Sequence, residues 1–353
     1  MHLTISWVES IIATGCRIMG KRKLRSIEDI ARIAGVSKST VSRALNDSPL
    51  IGLETRQRIS AIAKEYGFRR SEAARSLSLK SSRTIAFVMH AYQKSCGGLT
   101  DLFSVEIMGG ITLGLHELGY DMLVVHVDPH DTEWAAQYLD SGRVDGFILM
   151  TSERKSHHID RLMEIGAPFI AWGVGGDRYC SVCSDNSHGG FLAAERLITT
   201  GKKRLAFIGG PEVETEVKDR YRGWTAALAE AGMTVEAERV VYGNYLEDSG
   251  SIAMASLLDR DSRLDGVFAC SDLMAIGAIA EAERRGLRVP EDVAVVGYDD
   301  LLISARVSPA LTTIRQNIPA AGQALAKELV AYLKSGQIVC TTLPVELVIR
   351  ESA

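Results

Sequence analysis

Long hydrophobic runs are missing from this chain of 353 residues: it has no stretch of about 18 apolar positions, so nothing in it reads as a bilayer-spanning helix. Cysteine is sparse and scattered. Cys16, Cys96, Cys180, Cys183, Cys270 and Cys340 do not have the spacing of a disulfide framework. Cys180 and Cys183 form a CxxC, but no second, suitably spaced ligand pair accompanies them as a zinc site needs. A thioredoxin-type pair opens a helix, whereas "YCSVCSD" has the pattern of a buried strand, so both cysteines are expected in a core. A secretory leader is also missing. Met1 to Met19 has no basic start and is broken by Glu9, Ser10, Thr14 and Arg17, which points to a cytoplasmic protein, and "MGKRKLRS" beginning at Met19 looks like the more natural start.

Signatures of catalysis are lacking too. "GGPEVE" has neither the lysine nor the serine or threonine of a phosphate loop, and there is no nucleophile elbow. His126, Asp128 and His130 alternate in "HVDPH", a pattern that fits polar residues at a strand end better than a three-ligand metal site. No catalytic residue, metal or cofactor is therefore expected.

What is present is the composition of a globular protein, 46% hydrophobic and 24% charged, at a length that suits two or three domains. Charge is distributed unevenly. Formal net charge is −4, yet Lys21 to Arg83 holds 15 Lys/Arg against six Asp/Glu, a balance of +9, which leaves −13 on the residues from Thr84 onward. A basic head on an acidic body suggests that the head meets a polyanion.

Within that head, Ser26 has the position of a helix N-cap, and Glu28 and Asp29 follow in the first turn, where acids complement the macrodipole. Ile27, Ile30 and Ala34 form an apolar stripe, Gly35 supplies a turn, and Ser37 caps a second helix whose Val41, Ala44 and Leu45 face inward. This spacing predicts a helix-turn-helix. With the inward stripe fixed, Lys38, Ser39, Thr40, Ser42 and Arg43 occupy the face that can enter a major groove, where Lys and Arg donate to guanine edges and hydroxyls suit phosphates or bases. Asn46 suits a backbone or phosphate contact. A third helix, "TRQRISAIAKEYGF", closes a small core through Ile59, Ile62, Ala63 and Tyr66.

"RRSEAARSLSLKSSRT" has too few apolar residues to fold alone and reads as a linker. Ala73, Ala74 and Leu77 share one helical face, so the segment is either a flexible tether or a helix formed on binding, with Leu77 as a minor-groove wedge. From Thr84 the pattern alternates: "TIAFVMHA", "DMLVVHVD", "VDGFILMT", "APFIAWGV", "RLAFIGG", "VVYGNY", "GVFACSD" and "VAVVGYDD" are strands with helical segments between them. Continuous apolar strands of this kind predict parallel sheets covered on both faces, here in two α/β lobes. In such lobes ligands bind beyond the carboxyl ends of the strands, which Asp185, Asp272, Asp299 and Asp300 follow.

The motifs "DIARIAGVSKSTVSRALN", "ARSL", "RYRGWTAAL", "SDLMAIGAI", "VGYDD" and "LTTIRQN", in this order from Ser26 to the C-terminus, resemble those of the Lac repressor-like (LacI/GalR) family of bacterial transcription regulators. The resemblance implies an all-α DNA-binding head, a hinge and a two-lobed effector domain like periplasmic sugar-binding proteins. The expected divisions are an extension at 1–24 outside the fold, a head at 25–70, a hinge helix at 71–83 and an effector and dimerisation domain at 84–353. Chain crossings between the lobes are expected near 183–187, 310–318 and 340–344.

By the same resemblance, Lys38, Ser39 and Arg43 fall on base-reading positions and Thr40, Ser42 and Asn46 on backbone-contacting ones. Ser37 at the cap and Ser71, Ala74 and Leu77 in the hinge complete the DNA-contacting set. Arg220 and Asp299 fall where the family grips effector oxygens and are expected to project from different loops into one cleft. Tyr245 matches a ring placed against the ligand, Asp101 and Phe103 join the set, and Ser271 with Asp272 matches a motif that is often Asn-Asp. Gly52 replaces a common capping serine, and Gly173 stands where the family's eponym has a ligand-binding acid. "FIAWGV" followed by "YCSVCSDN" resembles a subgroup tied to α-glucoside regulation, with Trp172 stacking on a sugar and Asp185 binding its hydroxyls; the alternatives are a core Trp and a capping Asp.

The expected function is thus a repressor that binds a palindromic operator as a homodimer under control of a small molecule, with operator DNA, a sugar effector and a second copy as partners. The chain ends without the apolar heptads that make the eponym a tetramer. A sugar-binding transport component is the alternative, but it wants a secretion signal and has no use for a basic helical head.

Overall fold

The computed structural model describes residues 26–68, 81–90, 102–128, 131–150 and 156–353. The chain divides into two compact units, residues 1–78 and 79–353. Ser71, Ala74 and Leu77 of the expected hinge, and Asp101, lie outside the described residues.

The first unit contains α1 (Ile27–Ala34), α2 (Lys38–Leu45) and α3 (Leu53–Glu65). Ser26 caps α1 by accepting from the Asp29 amide, and Gly35 ends it with φ 65°, a left-handed conformation that glycine adopts without strain. Ser37 caps α2 in the same way through the Thr40 amide. α3 starts at Gly52 with no side-chain cap. Ile30, Val41 and Ile59 are fully buried, one from each helix, with Ala31, Ala34, Ala44 and Ala63 between them. Each such large side chain contributes about 1.5–3 kcal/mol by burial. Ile27, Leu45 and Ile62 flank this core, partly buried.

The second unit runs β1 (Thr84–His90), α4 (Leu102–Glu117), β2 (Asp121–Val127), α5 (Trp134–Asp140), β3 (Gly146–Met150), α6 (Ser156–Glu164), β4 (Phe169–Trp172), β5 (Cys180–Ser184) and α7 (Asn186–Thr199). It continues through β6 (Leu205–Gly209), α8 (Thr215–Glu230), β7 (Val240–Tyr242), α9 (Glu247–Arg260), β8 (Gly266–Ala269), α10 (Asp272–Arg284), β9 (Ala294–Asp299), β10 (Thr312–Arg315), α11 (Ile318–Ser335), β11 (Cys340–Leu343) and β12 (Glu346–Val348). Two six-stranded sheets result, ordered β11-β5-β4-β3-β1-β2 and β12-β10-β9-β8-β6-β7. All pairings are parallel except β10 with β12. The eight strands read from the sequence are all present, as is the one through the two cysteines, of which Cys180 is buried and Cys183 half-buried.

Strand alternation shows why the runs are apolar throughout. In β1, Ile85 and Phe87 face α4 and α11 while Ala86 and Val88 face the layer of α5 and α6, so both faces are covered. The chain passes from one sheet to the other between Ser184 and Asn186, between Arg315 and Ile318, and between Leu343 and Glu346. Helices α7 and α8 cross in backbone contact: a Cβ on Gly223 would stand 1.7 Å from the Ser187 carbonyl oxygen, and one on Gly190 2.0 Å from that of Arg220. The unit begins under a clamp. The Asp145 carboxylate accepts from the Ser82 amide at 2.6 Å, the Ser82 hydroxyl at 2.9 Å, the Arg83 amide at 3.0 Å and the Ser81 hydroxyl.

Candidate functional site

Two regions hold the predicted residues. On the head, the Ser37 hydroxyl accepts from the Thr40 amide at 3.1 Å and lies 2.7 Å from the Ser39 hydroxyl and 2.8 Å from that of Thr40, so these hydroxyls are anchored to the start of α2. Lys38, Ser39, Arg43 and Asn46 are exposed, and Thr40 and Ser42 half-buried beside them. The first turn of α2 contains no acid, which leaves the positive end of its dipole open toward an anion. Lys38 pairs with Glu28 on α1 at 2.5 Å.

The second region is a narrow cleft lined by Trp172, Gly173, Val174, Cys183, Ser184, Asn186, Glu216, Arg220 and Gln316. It opens beyond the ends of β4 and β5 on one lobe and against α7 and α8 on the other, where strand ends of this architecture hold ligands. Arg220 is buried; its Nε donates to Asn186 Oδ1 at 2.8 Å and its Nη1 to the Cys270 carbonyl at 2.6 Å, and its guanidinium lies 3.6 Å over the centre of the Tyr298 ring. Two of its five N–H donors are thereby committed to the protein. Trp172 meets Phe103 at 5.9 Å between ring centres, giving the first lobe an aromatic wall.

Glu216 lies one turn before Arg220 on the same face of α8. Burial pushes its carboxyl up from the ordinary range, and burial together with Glu216 raises the Tyr245 phenol. Tyr245 donates to Glu216 Oε1 at 3.4 Å, and Asp299 accepts from Gln316 Nε2 at 2.6 Å, so both stand one contact behind the lining. Positive backbone φ gathers here as well, at Tyr245 (70°), Asp299 (128°), Asp300 (60°) and Asn317 (49°), a concentration of strain that is characteristic of functional sites.

Some expected residues are used otherwise. Arg220 projects from a helix, α8, rather than from a loop, while Asp299 ends β9. Asp185 caps α7 by accepting from the His188 amide at 2.9 Å, which is the alternative its sequence position left open. Ser271 caps α10 through the Met274 amide and donates to the Tyr245 carbonyl. Asp272 is fully buried and accepts from the Leu301 amide at 2.8 Å and from the hydroxyls of Ser304 and Thr313, which leaves it no face toward the cleft; burial raises its carboxyl to about 6. Among the described residues no cluster of His, Cys, Asp and Glu is arranged to hold a metal, and no helix is long and apolar enough to cross a membrane.

Sequence reasoning missed Ser184, Asn186, Glu216 and Gln316. Their signal was adjacency: Asn186 follows Asp185, Glu216 precedes Arg220 by four, and Gln316 belongs to "LTTIRQN". Within the buried lining, the Ser184 hydroxyl and Gln316 Oε1 have no hydrogen-bond partner among the described residues. Buried polar atoms are nearly always paired, so these two are suited to a ligand.

Residues 26–71 match the family described as "Bacterial regulatory proteins, lacI family", and residues 194–353 match "Periplasmic binding protein-like domain". The chain is 35% identical over 336 residues to the HTH-type transcriptional regulator CelR of Thermobifida fusca, covering 94% of this chain and 97% of that one. It is 30% identical over 298 residues to the HTH-type transcriptional repressor PurR of Haemophilus influenzae, covering 83% and 87%. Among solved structures it is similar to a CelR–cellobiose complex, with TM-score 0.71, 33% identity and coverage of 93% and 99%. It is also similar to the Lac repressor dimer bound to operator and the anti-inducer ONPF, with TM-score 0.79, 27% identity and coverage of 93% and 98%.

Proposed function

The chain belongs to the LacI family of bacterial transcription regulators, and from that premise we propose that it is a repressor that binds a palindromic operator as a homodimer and is controlled by a neutral glucoside. It acts in the cytoplasm, on the nucleoid. The observation that carries the effector reading is the cleft, whose buried Ser184 and Gln316 oxygens have no hydrogen-bond partner among the described residues. A sugar supplies donors as hydroxyls, offers its flat face to Trp172 and gives oxygens to Arg220. Among the described lining residues Arg220 is the one cation, and it is already bonded to the protein, while Glu216 stands beside it; these residues offer a phosphorylated ligand little to neutralise it. Cellobiose is bound in the similar CelR complex, whereas the residues around Trp172 suggested an α-glucoside, so the linkage is what the experiment decides.

For the dimer, the support is an apolar stripe on α4, where Leu102, Val105 and Leu113 are exposed in the single chain, as is Val124 on β2. The operator reading rests on the outward face of α2, with Ser37, Lys38, Ser39, Thr40, Ser42, Arg43 and Asn46, and on Ser71, Ala74 and Leu77 from the hinge. Effector and operator are then linked: a ligand changes operator affinity by no more than its own preference between two arrangements of the lobes.

The test is a thermal-shift series with cellobiose, maltose, glucose and a sugar phosphate, followed by fluorescence anisotropy on a palindrome selected from a randomised duplex library. A ligand at 100 times its dissociation constant adds about 2.7 kcal/mol of stability. Stabilisation by one disaccharide and a change in operator affinity are expected. Stabilisation by the phosphate alone refutes the neutral-sugar reading.

A further inference from the structure

Lys38 opens α2, where a cation opposes the positive end of the helix it begins. Its ammonium is held from the neighbouring helix: Nζ lies 2.5 Å from Glu28 Oε1, and Lys38 pulls the Glu28 carboxyl below its ordinary range. Glu28 and Asp29 are the two acids in the first turn of α1, and they are engaged differently. Asp29 serves α1 itself, accepting from the Ser26 hydroxyl at 2.9 Å and from Arg32 at 3.1 Å. Glu28 reaches across the turn to the face expected to read DNA. Both members of the Lys38–Glu28 pair are well exposed, with side chains 66% and 48% accessible, so the pair contributes little to folding. A carboxylate on that face also lowers affinity for any polyanion.

We propose that Glu28 is a specificity-determining positioning residue that acts on DNA through Lys38; this rests on the reading of α2 as the operator-contacting helix. A free lysine is a flexible point charge that pairs with whichever phosphate is near, and such a contact strengthens binding to every sequence alike. Glu28 competes with phosphates for the ammonium and holds it at the first turn of α2. Held there, the ammonium is set toward base edges, where two acceptors such as O6 and N7 of guanine discriminate among sequences, and away from phosphates, which do not. The acid therefore trades total affinity for discrimination.

The test uses the full-length protein, the palindrome it selects from a randomised duplex library and a scrambled duplex of equal length, with Glu28→Gln, Lys38→Ala and the double variant. Glu28→Gln is expected to bind the scrambled duplex more tightly, with the slope of log affinity against log salt steeper by about 0.9, the equivalent of one more phosphate contact. Its ratio of operator to scrambled affinity is expected to fall severalfold, with thermal unfolding unchanged. In the Lys38→Ala background, Glu28→Gln is expected to raise affinity for both duplexes equally, by relief of repulsion alone, and to leave their ratio unchanged. If it raises affinity for both duplexes equally in both backgrounds, Glu28 merely repels phosphates and the proposal is overturned. If Lys38→Ala lowers discrimination and Glu28→Gln leaves ratio and slope alone, the proposal fails while the reading of α2 stands. A Lys38→Ala variant with undiminished discrimination overturns both.

Discussion

Gly223→Ala adds one methyl group where α7 and α8 touch and is expected to damage fold and cleft together. The new Cβ would lie 1.7 Å from the Ser187 carbonyl oxygen and 2.9 Å from the Phe191 amide nitrogen, both backbone atoms that cannot rotate away as a side chain can. Helix α8 must therefore move outward by more than an ångström. Arg220 stands one turn earlier on the same helix, and its 2.8 Å bond to Asn186 on α7 stretches beyond hydrogen-bonding range with that movement. Overpacking costs about 1–3 kcal/mol and the lost charged hydrogen bond about 1.5–3 kcal/mol. Alanine in place of glycine inside a helix returns about 1 kcal/mol. The net loss is about 1.5–5 kcal/mol, to be read from the urea midpoint at unchanged slope. Sugar affinity in the thermal-shift assay is expected to drop at least about tenfold, since 1.4 kcal/mol already accounts for that factor. A variant as stable as the wild type, or one that loses stability and keeps full sugar affinity, refutes the claim that this helix spacing sets Arg220.

Asp272→Asn tests the buried carboxyl. Its folded pKa of about 6 exceeds the ordinary 3.8, so the protonated form is favoured in the fold and the contribution to stability is lost as pH rises through 6; the wild-type advantage over Asn is expected to shrink by about 2 kcal/mol between pH 4.5 and 7 in urea titrations. An advantage that grows over that interval is contrary to the burial argument. Lys38→Ala and Arg43→Ala are each expected to relax discrimination at one half-site position by about 1–3 kcal/mol, measured by anisotropy on single-base variants, and equal weakening on all sequences removes the base-reading role. Asp299→Asn keeps the acceptor for Gln316 and tolerates the positive φ, yet is expected to abolish sugar-dependent change in operator affinity while leaving ligand-free operator binding intact; a normal sugar response takes Asp299 out of the mechanism.

The strands of the two lobes were legible because burial on both faces demands unbroken apolar runs, such as "IAFVM" in β1 and "AVV" in β9. Strands β10, β11 and β12 escaped the pattern: "TTIR", "CTTL" and "ELV" are three or four residues long, and the last two lie at sheet edges where polarity is tolerated. α3 begins at Leu53, two residues before the start read from the apolar pattern and directly after Gly52, where the resemblance put the cap. In the cleft, Arg220 and Trp172 were reached through the family resemblance, and both line it. Asp272 and Asp185 were not separable from ligand contacts, because a sequence shows an acid but not which donors already occupy its lone pairs. Gln316 was invisible for the opposite reason, an ordinary amide whose importance arises from a buried oxygen left over.

The three passages of the chain between the sheets bear on how the protein is made. Neither lobe is a continuous stretch: the first needs α11 and β11 added to residues 84–184, and the second lies between those pieces and still wants β12. When β5 leaves the ribosome, the sheet face that Ile318, Ala321, Leu325 and Leu329 will help to seal has only α4 to cover it. The sealing residues arrive about 130–150 residues later, roughly 7–30 seconds at ordinary elongation rates. During that interval Ile85, Phe87, Ile148 and Ile170 are incompletely covered, and exposed apolar surface of this kind is prone to aggregation. A premature stop near residue 338 removes an edge strand from both lobes at once, so late nonsense mutations in this gene are expected to behave as severely as early ones.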